Sequence, residues 1–179
     1  YRWKQNPLSF SSESGYLAVY RQWHGLDQSS GYIGAAQSED GQEWFINSDK
    51  LNTRYPDGSE EPNLPNYTGL PMGRYPNAGL VLNGRPTAIW NEYTLPEYGG
   101  GDNGGYPMWS YNALGLGEFA SWVNPFNLNN GCATYPCAPP DLWSGNAQVF
   151  LNDNEQQPVM ATIFDSWSTG NHYFINSYF

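Results

Sequence analysis

Acidic side chains stand at Asp27, Glu39, Asp40, Glu92, Glu97, Asp102 and Asp165, in stretches rich in turn formers. A glycosidase uses two carboxyl groups about 5–10 Å apart, one as acid and one as base or nucleophile. Sequence spacing selects no such pair here, and solvated acidic loops are the plainer reading. The run from Glu97 to Gly105 sets Asp102 and Asn103 among glycines. Hard oxygens on a pliable loop suit a structural Ca²⁺, and simple loop flexibility explains the same composition. Trp23, Tyr98 and Trp109 carry amphipathic rings that could form a glycan- or protein-docking face, unless the rings are buried between sheets. Cys132 and Cys137 flank a short Pro-containing segment. A disulfide there would clip the loop and fit an oxidising compartment; free thiols and a metal site are the alternatives. The two histidines, His24 and His172, lie far away in sequence, whereas a zinc site needs four ligands.

The elements that position these residues follow from composition. Of 179 residues, 17% are aromatic, 13% are charged, and Gly (20) and Pro (14) recur throughout. So many rings supply ample surface to bury against the ordering cost, which excludes a disordered chain. The frequent Gly and Pro exclude a helical bundle. Lys+Arg number 7 against 17 Asp+Glu, a formal charge of −10, so no general nucleic-acid or anionic-membrane binder is expected. No apolar run is long enough to span a membrane as a helix. The ends, Tyr1 and Phe179, read as interior positions of a longer polypeptide.

The chain repeats itself. Tyr16–Arg21, Pro86–Glu92 and Pro158–Asp165 are alike, and their starts are spaced by 70 and 72 residues. Each is followed by turns and a second strand-like run, at 32–36, 106–111 and 172–176. Asn77–Asn83 and Asn146–Asn152 lead into the last two repeats through Asn-led turns, which accept the positive φ of tight hairpins. A fourth strand is expected at 43–46 and at 119–123. Four antiparallel strands repeated radially make a β-propeller blade, with the surplus length in loops at 49–72, 93–105 and 124–142; a β-sandwich with coincidental internal similarity is the structural alternative. The expectation is one all-β, propeller-like segment over 1–179, with repeats 1–72, 73–141 and a truncated 142–179. Fewer than three blades do not close a ring, so the remaining blades must come from the same polypeptide or another subunit.

Between the third and fourth strands of the first repeat stands Ser38-Glu39-Asp40-Gly41-Gln42-Glu43-Trp44, an Asp-box pattern. Ser38 and Asp40 can accept backbone N–H bonds, Gly41 takes a positive φ, and Trp44 is expected to bury its ring under the hairpin. Side chains spent on a turn in this way are structural.

With this motif and the repeats, the chain resembles the sialidase-like (BNR/Asp-box) propellers, in particular secreted surface propellers of Bacteroidetes exported by the type IX route. That resemblance implies a search for an arginine triad and a Tyr/Glu pair. Arg74 in Arg74-Tyr75-Pro76 is similar to the family's Arg-Ile-Pro element, with Tyr in place of Ile, and Glu92 with Tyr93 is the one nearby couple. The second and third arginines find no match. The expected role is a non-catalytic extracellular module for glycan or protein binding or scaffolding at the bacterial cell surface. Part of a sialidase-like exo-glycoside hydrolase, or a subunit or cargo of an outer-membrane export or adhesion complex, are the alternatives. No cofactor is implied apart from Ca²⁺ in the Asp102–Asn103 loop.

Overall fold

The computed structural model describes residues 6–12, 14–22, 31–48, 51–53, 73–80, 86–93, 105–114, 122–123, 126–127, 142–152, 157–166 and 172–178. Every regular element among them is a β-strand, apart from a 3-10 turn at Leu51–Thr53. The strands are β1 (Leu8–Ser11), β2 (Gly15–Gln22), β3 (Tyr32–Ser38), β4 (Phe45–Ser48), β5 (Gly73–Leu80), β6 (Pro86–Tyr93), β7 (Gly105–Tyr111), β8 (Phe126–Asn127), β9 (Leu142–Asn152), β10 (Gln157–Ser166) and β11 (His172–Tyr178). All their pairings are antiparallel.

Strands β1 to β4 make one sheet in chain order, a simple meander. A second meander, β5–β6–β7 with β8 on β7, joins a third, β9–β10–β11, through the pair Gly105↔Leu142, giving a seven-stranded sheet. The strands at 16–21, 32–36, 86–92, 106–111, 158–165 and 172–176 lie where the repeats put them. Of the fourth strand expected at 119–123, residues 119–121 lie outside the described residues; Trp122 makes an isolated bridge to Asn112, and Phe126 and Asn127 pair with β7.

Side-chain alternation explains which face of each sheet is covered. Leu17 and Val19 are fully buried, while Tyr16, Ala18 and Tyr20 between and beside them are only half-buried, the period-two signature of a strand. Leu17, Val19, Ile33 and Ala35 of the first sheet pack against Ala78, Ala88, Trp90 and Met108 of the second. Strand β6 is buried on both faces from Pro86 to Glu92, so its sequence shows no clean alternation. Complete burial of a Leu, Ile or Met contributes about 1.5–3 kcal/mol, so this inter-sheet layer is the main apolar term.

The two sheets meet most tightly at Gly73. Its N–H donates to the Gly31 carbonyl at 2.8 Å. A Cβ at position 73 would lie 2.6 Å from Ile33 Cδ1 and 3.0 Å from that same carbonyl oxygen.

The β3–β4 connection is built by the Ser38–Trp44 segment. The Gly41 N–H donates to Ser38 Oγ at 2.8 Å. Asp40 Oδ1 accepts the N–H groups of Gln42 and Glu43 at 2.8 and 3.0 Å, and Gly41 sits at φ +79°. Trp44 departs from expectation. Its ring is 41% exposed, with the indole N–H donated to the Gly41 carbonyl at 3.2 Å and the ring beside Tyr16 at 6.3 Å. The indole closes its own turn and lies over a neighbouring ring rather than entering the core.

Gly73→Ala is expected to cost about 1–3 kcal/mol, the usual penalty for overpacking. Ile33→Ala, which removes the Cγ1 and Cδ1 that this Cβ would strike, should cost less in the Gly73→Ala background than alone in urea denaturation, whereas strictly additive effects would show that the two positions do not press on each other. Hydrogen bonds from Gln42 and Glu43 hold the Asp40 carboxyl below its ordinary value of 3.8. A depressed native value means the unfolded state binds the extra proton, so this stabilisation is present above about pH 4 and fades as acid enters the range below it. Asp40→Asn should flatten that part of the acid limb of a Tm–pH curve; an unchanged limb would show that the turn does not couple to folding.

Candidate functional site

One end of the stacked sheets gathers the chemistry. The C-terminal end of β2, the start of β3, the 3-10 turn, the start of β5 and the end of β6 meet there, because Gly73 bonds to Gly31 and pairs with Glu92. At its floor is a carboxylate. Glu92 is 1% exposed, and its Oε2 accepts the Trp90 indole N–H at 2.9 Å and the Asn52 amide at 2.9 Å. Asn52 is itself buried and donates also to the Gly31 carbonyl at 2.9 Å, while its Oδ1 accepts the Ile33 N–H at 3.0 Å. One amide therefore ties the 3-10 turn, β3 and β6 together. Trp90 and Glu92 lie on the same side of β6 because they are two residues apart.

Above this floor the backbone of β5 is bent. Tyr75 adopts φ +51°, a left-handed conformation that costs a side-chain-bearing residue about 1–2 kcal/mol. The β5–β6 register breaks between Arg74 and Asn77, which makes room for Pro76 outside the ladder. Asn77 holds the bend, donating to the Tyr75 carbonyl at 3.0 Å and accepting the Asn6 N–H at 2.8 Å. Arg74 is half-buried, with a guanidinium N–H on the Gly73 carbonyl at 3.0 Å. It pairs across β5–β6 with Asn91, which is fully buried and whose amide has no hydrogen-bond partner among the described residues. Such a group marks a place where something else completes the bonding.

Arg21, at the end of β2, belongs to the same cluster. Its strand partner is Ile33, the side chain that a Cβ at position 73 would strike. Arg21 is exposed; what desolvation it has lowers its pKa, and the nearby Arg74 charge lowers it further, against a pull from Tyr75. Burial raises the Tyr75 phenol, against the opposing influence of Arg74 and Arg21. At neutral pH the phenol is therefore a proton donor and not a phenolate. Two permanently charged forks and a phenol O–H form a donor set for an oxyanion, with bidentate geometry suited to a carboxylate.

The sequence candidates distribute unevenly over this picture. Arg74 and Glu92 belong to the strand-end cluster. Tyr93 ends β6, and its side chain lies outside the described residues. Ser38, Asp40, Gly41 and Trp44 form the β3–β4 turn. Trp109 on β7 is half-buried and stacks on Tyr111 with centroids 5.3 Å apart. Trp23, Tyr98, Asp102, Asn103, Cys132 and Cys137 lie outside the described residues. Three members of the cluster went unread as a group: Arg21, Asn52 and Tyr75. The repeat offers one signal, because Arg21 occupies the place of Asn91, so both polar residues end equivalent strands.

Asn52→Ala is expected to destabilise the protein by about 2–4 kcal/mol, since it strips a bond from a buried carboxylate and leaves a buried N–H and carbonyl without it. Thermal and urea denaturation would measure this, and a loss under about 0.5 kcal/mol, the ordinary range of a surface change, would mean the network is not structural.

Neither a protein-family model nor a curated protein matches the sequence. Among solved structures, the chain is similar to 1,3Gal43A, an exo-β-1,3-galactanase from Clostridium thermocellum, at 11% identity and a TM-score of 0.45. The match covers 89% of this chain and 34% of that one, so the chain spans about a third of that protein's length. At this level of likeness, neither fold detail nor substrate carries over.

Proposed function

We propose that this chain is a propeller-like, non-catalytic binding module of a secreted, cell-surface protein, and that it receives a carboxylate-bearing glycan at the Arg21–Arg74–Tyr75 cluster. The observation that carries the reading is the pair of guanidiniums brought together with a donor phenol at one end of the sheets. An anion seated between two such forks accepts hydrogen bonds from both. A bidentate Arg–carboxylate bond supplies direction as well as charge, and the Tyr75 ring offers an apolar face against which a sugar ring can lie.

The successive antiparallel meanders, with β5 packed between β2 and β9, support the propeller reading. In that reading further blades come from the same polypeptide or from another subunit. The non-catalytic role is supported by Glu92. Its carboxylate is sealed in the floor and engaged with Trp90 and Asn52, so it is placed to support a site rather than to protonate a glycosidic oxygen.

Binding of an oligoglucuronate, followed by calorimetry and compared with its carboxyl-reduced counterpart, tests this reading. The acidic sugar should bind and the neutral one should not. Arg74→Gln and Arg21→Gln should each weaken binding about ten- to a hundredfold, the worth of a charge-assisted bond of about 1.5–3 kcal/mol, and raised salt should weaken it as well. Equal binding of the acidic and neutral sugars, or none of either, sinks the proposal.

A further inference from the structure

We infer that the uncovered face of the β1–β4 sheet docks the β9–β11 sheet of a second copy of this chain. Directly paired residues share a sheet face, so the registers Leu8↔Ala18, Ala18↔Ala36 and Ala36↔Ile46 draw one apolar row across all four strands. Leu8 is 50% exposed and Ile46 is 70% exposed at its two ends, and Phe10 on the same face is 60% exposed. The row is shallow in the middle, where the alanines sit, and bulky at its edges.

The second meander carries the same device, and there it is covered. Ala78↔Ala88 and Ala88↔Ser110 form an equivalent small-residue row, with Ala88 in the repeat position of Ala18. Its face is filled by Leu17, Val19, Ile33 and Ala35 of the first sheet. The third meander continues the order, since β9 packs on β5 and β6. The first two sheets thus share a small-residue row, covered in the second, while in the first it ends in the exposed Leu8 and Ile46. This head-to-tail stacking is heterologous, so two copies can close on each other through two equivalent contacts. Two copies bring six meanders, within the four to eight of closed propellers. The overlap of this face with a sheet three strands wide and about seven residues long is about 330 Å². Two such contacts, counted on both partners, bury about 1,300 Å², within the range of about 1,200–2,000 Å² of stable specific interfaces.

This inference rests on the propeller reading above but not on its ligand. Light scattering during size-exclusion chromatography of the chain at about 50 μM should give about 40 kDa, twice its 20.1 kDa. Ile46→Glu and Leu8→Glu, on exposed positions, should each shift it to monomer while leaving the far-ultraviolet circular dichroism and oligoglucuronate binding unchanged. A wild-type monomer overturns the inference, and so does a dimer, or any larger species, that neither substitution perturbs. If the sugar binds while the chain stays monomeric, only the docking fails. If the dimer forms and responds but no sugar binds, only the ligand reading fails.

Discussion

The carboxylate of Glu92 is the constraint around which the strand-end cluster is arranged. A carboxylate shut away from water is costly unless it is met by good hydrogen bonds, and here the donors come from distant stretches of chain. Trp90 reaches it from the same strand, but Asn52 must be delivered by the 3-10 turn, 40 residues away. The same amide occupies the Gly31 carbonyl and the Ile33 N–H. Once Asn52 is fixed, the start of β3 is fixed, and Gly73 can approach the Gly31 carbonyl closely enough to bond. The alignment of the two sheets and the position of Arg74 are thus consequences of satisfying one buried carboxyl group.

Arg21 and Arg74 stand where that alignment puts them, and their proximity is unfavourable by itself. Desolvation and like charge both act against Arg21. In the proposed carboxylate-binding role, forks already held in place leave little reorganisation to be done on binding. The net charge of −10 keeps this patch local: the molecule as a whole repels anions, and only a ligand that reaches the forks gains from them. For the proposed ligand, that contrast would favour a discrete carboxylate over a polyanionic surface.

How much of this was legible in the sequence depends on the range of the interaction. The turn from Ser38 to Glu43 was readable because its bonds span two or three residues. The repeated strands were readable because their period and spacing recur. Strand β1 was missed: Leu8-Ser9-Phe10-Ser11 alternates, but four residues after Pro7 give too short a pattern. The exposure of Trp44 was missed because an indole can cap its own turn as readily as enter a core. Glu92, Asn52 and Arg21 were visible as residue types but not as a group, since only the crossing of β2 and β5 makes neighbours of positions far apart in the chain.

Tyr75 illustrates a conflict between two kinds of fitness. Its left-handed backbone suits glycine, which adopts that conformation with no steric penalty, and a chain drifting under selection for stability alone would settle on glycine there. Glycine would abolish the phenol and the ring. The strain at this position therefore measures what the molecule gives up in robustness to keep a side chain at the mouth of the cluster, and it marks position 75 as the place where hardening the protein and preserving its site pull in opposite directions.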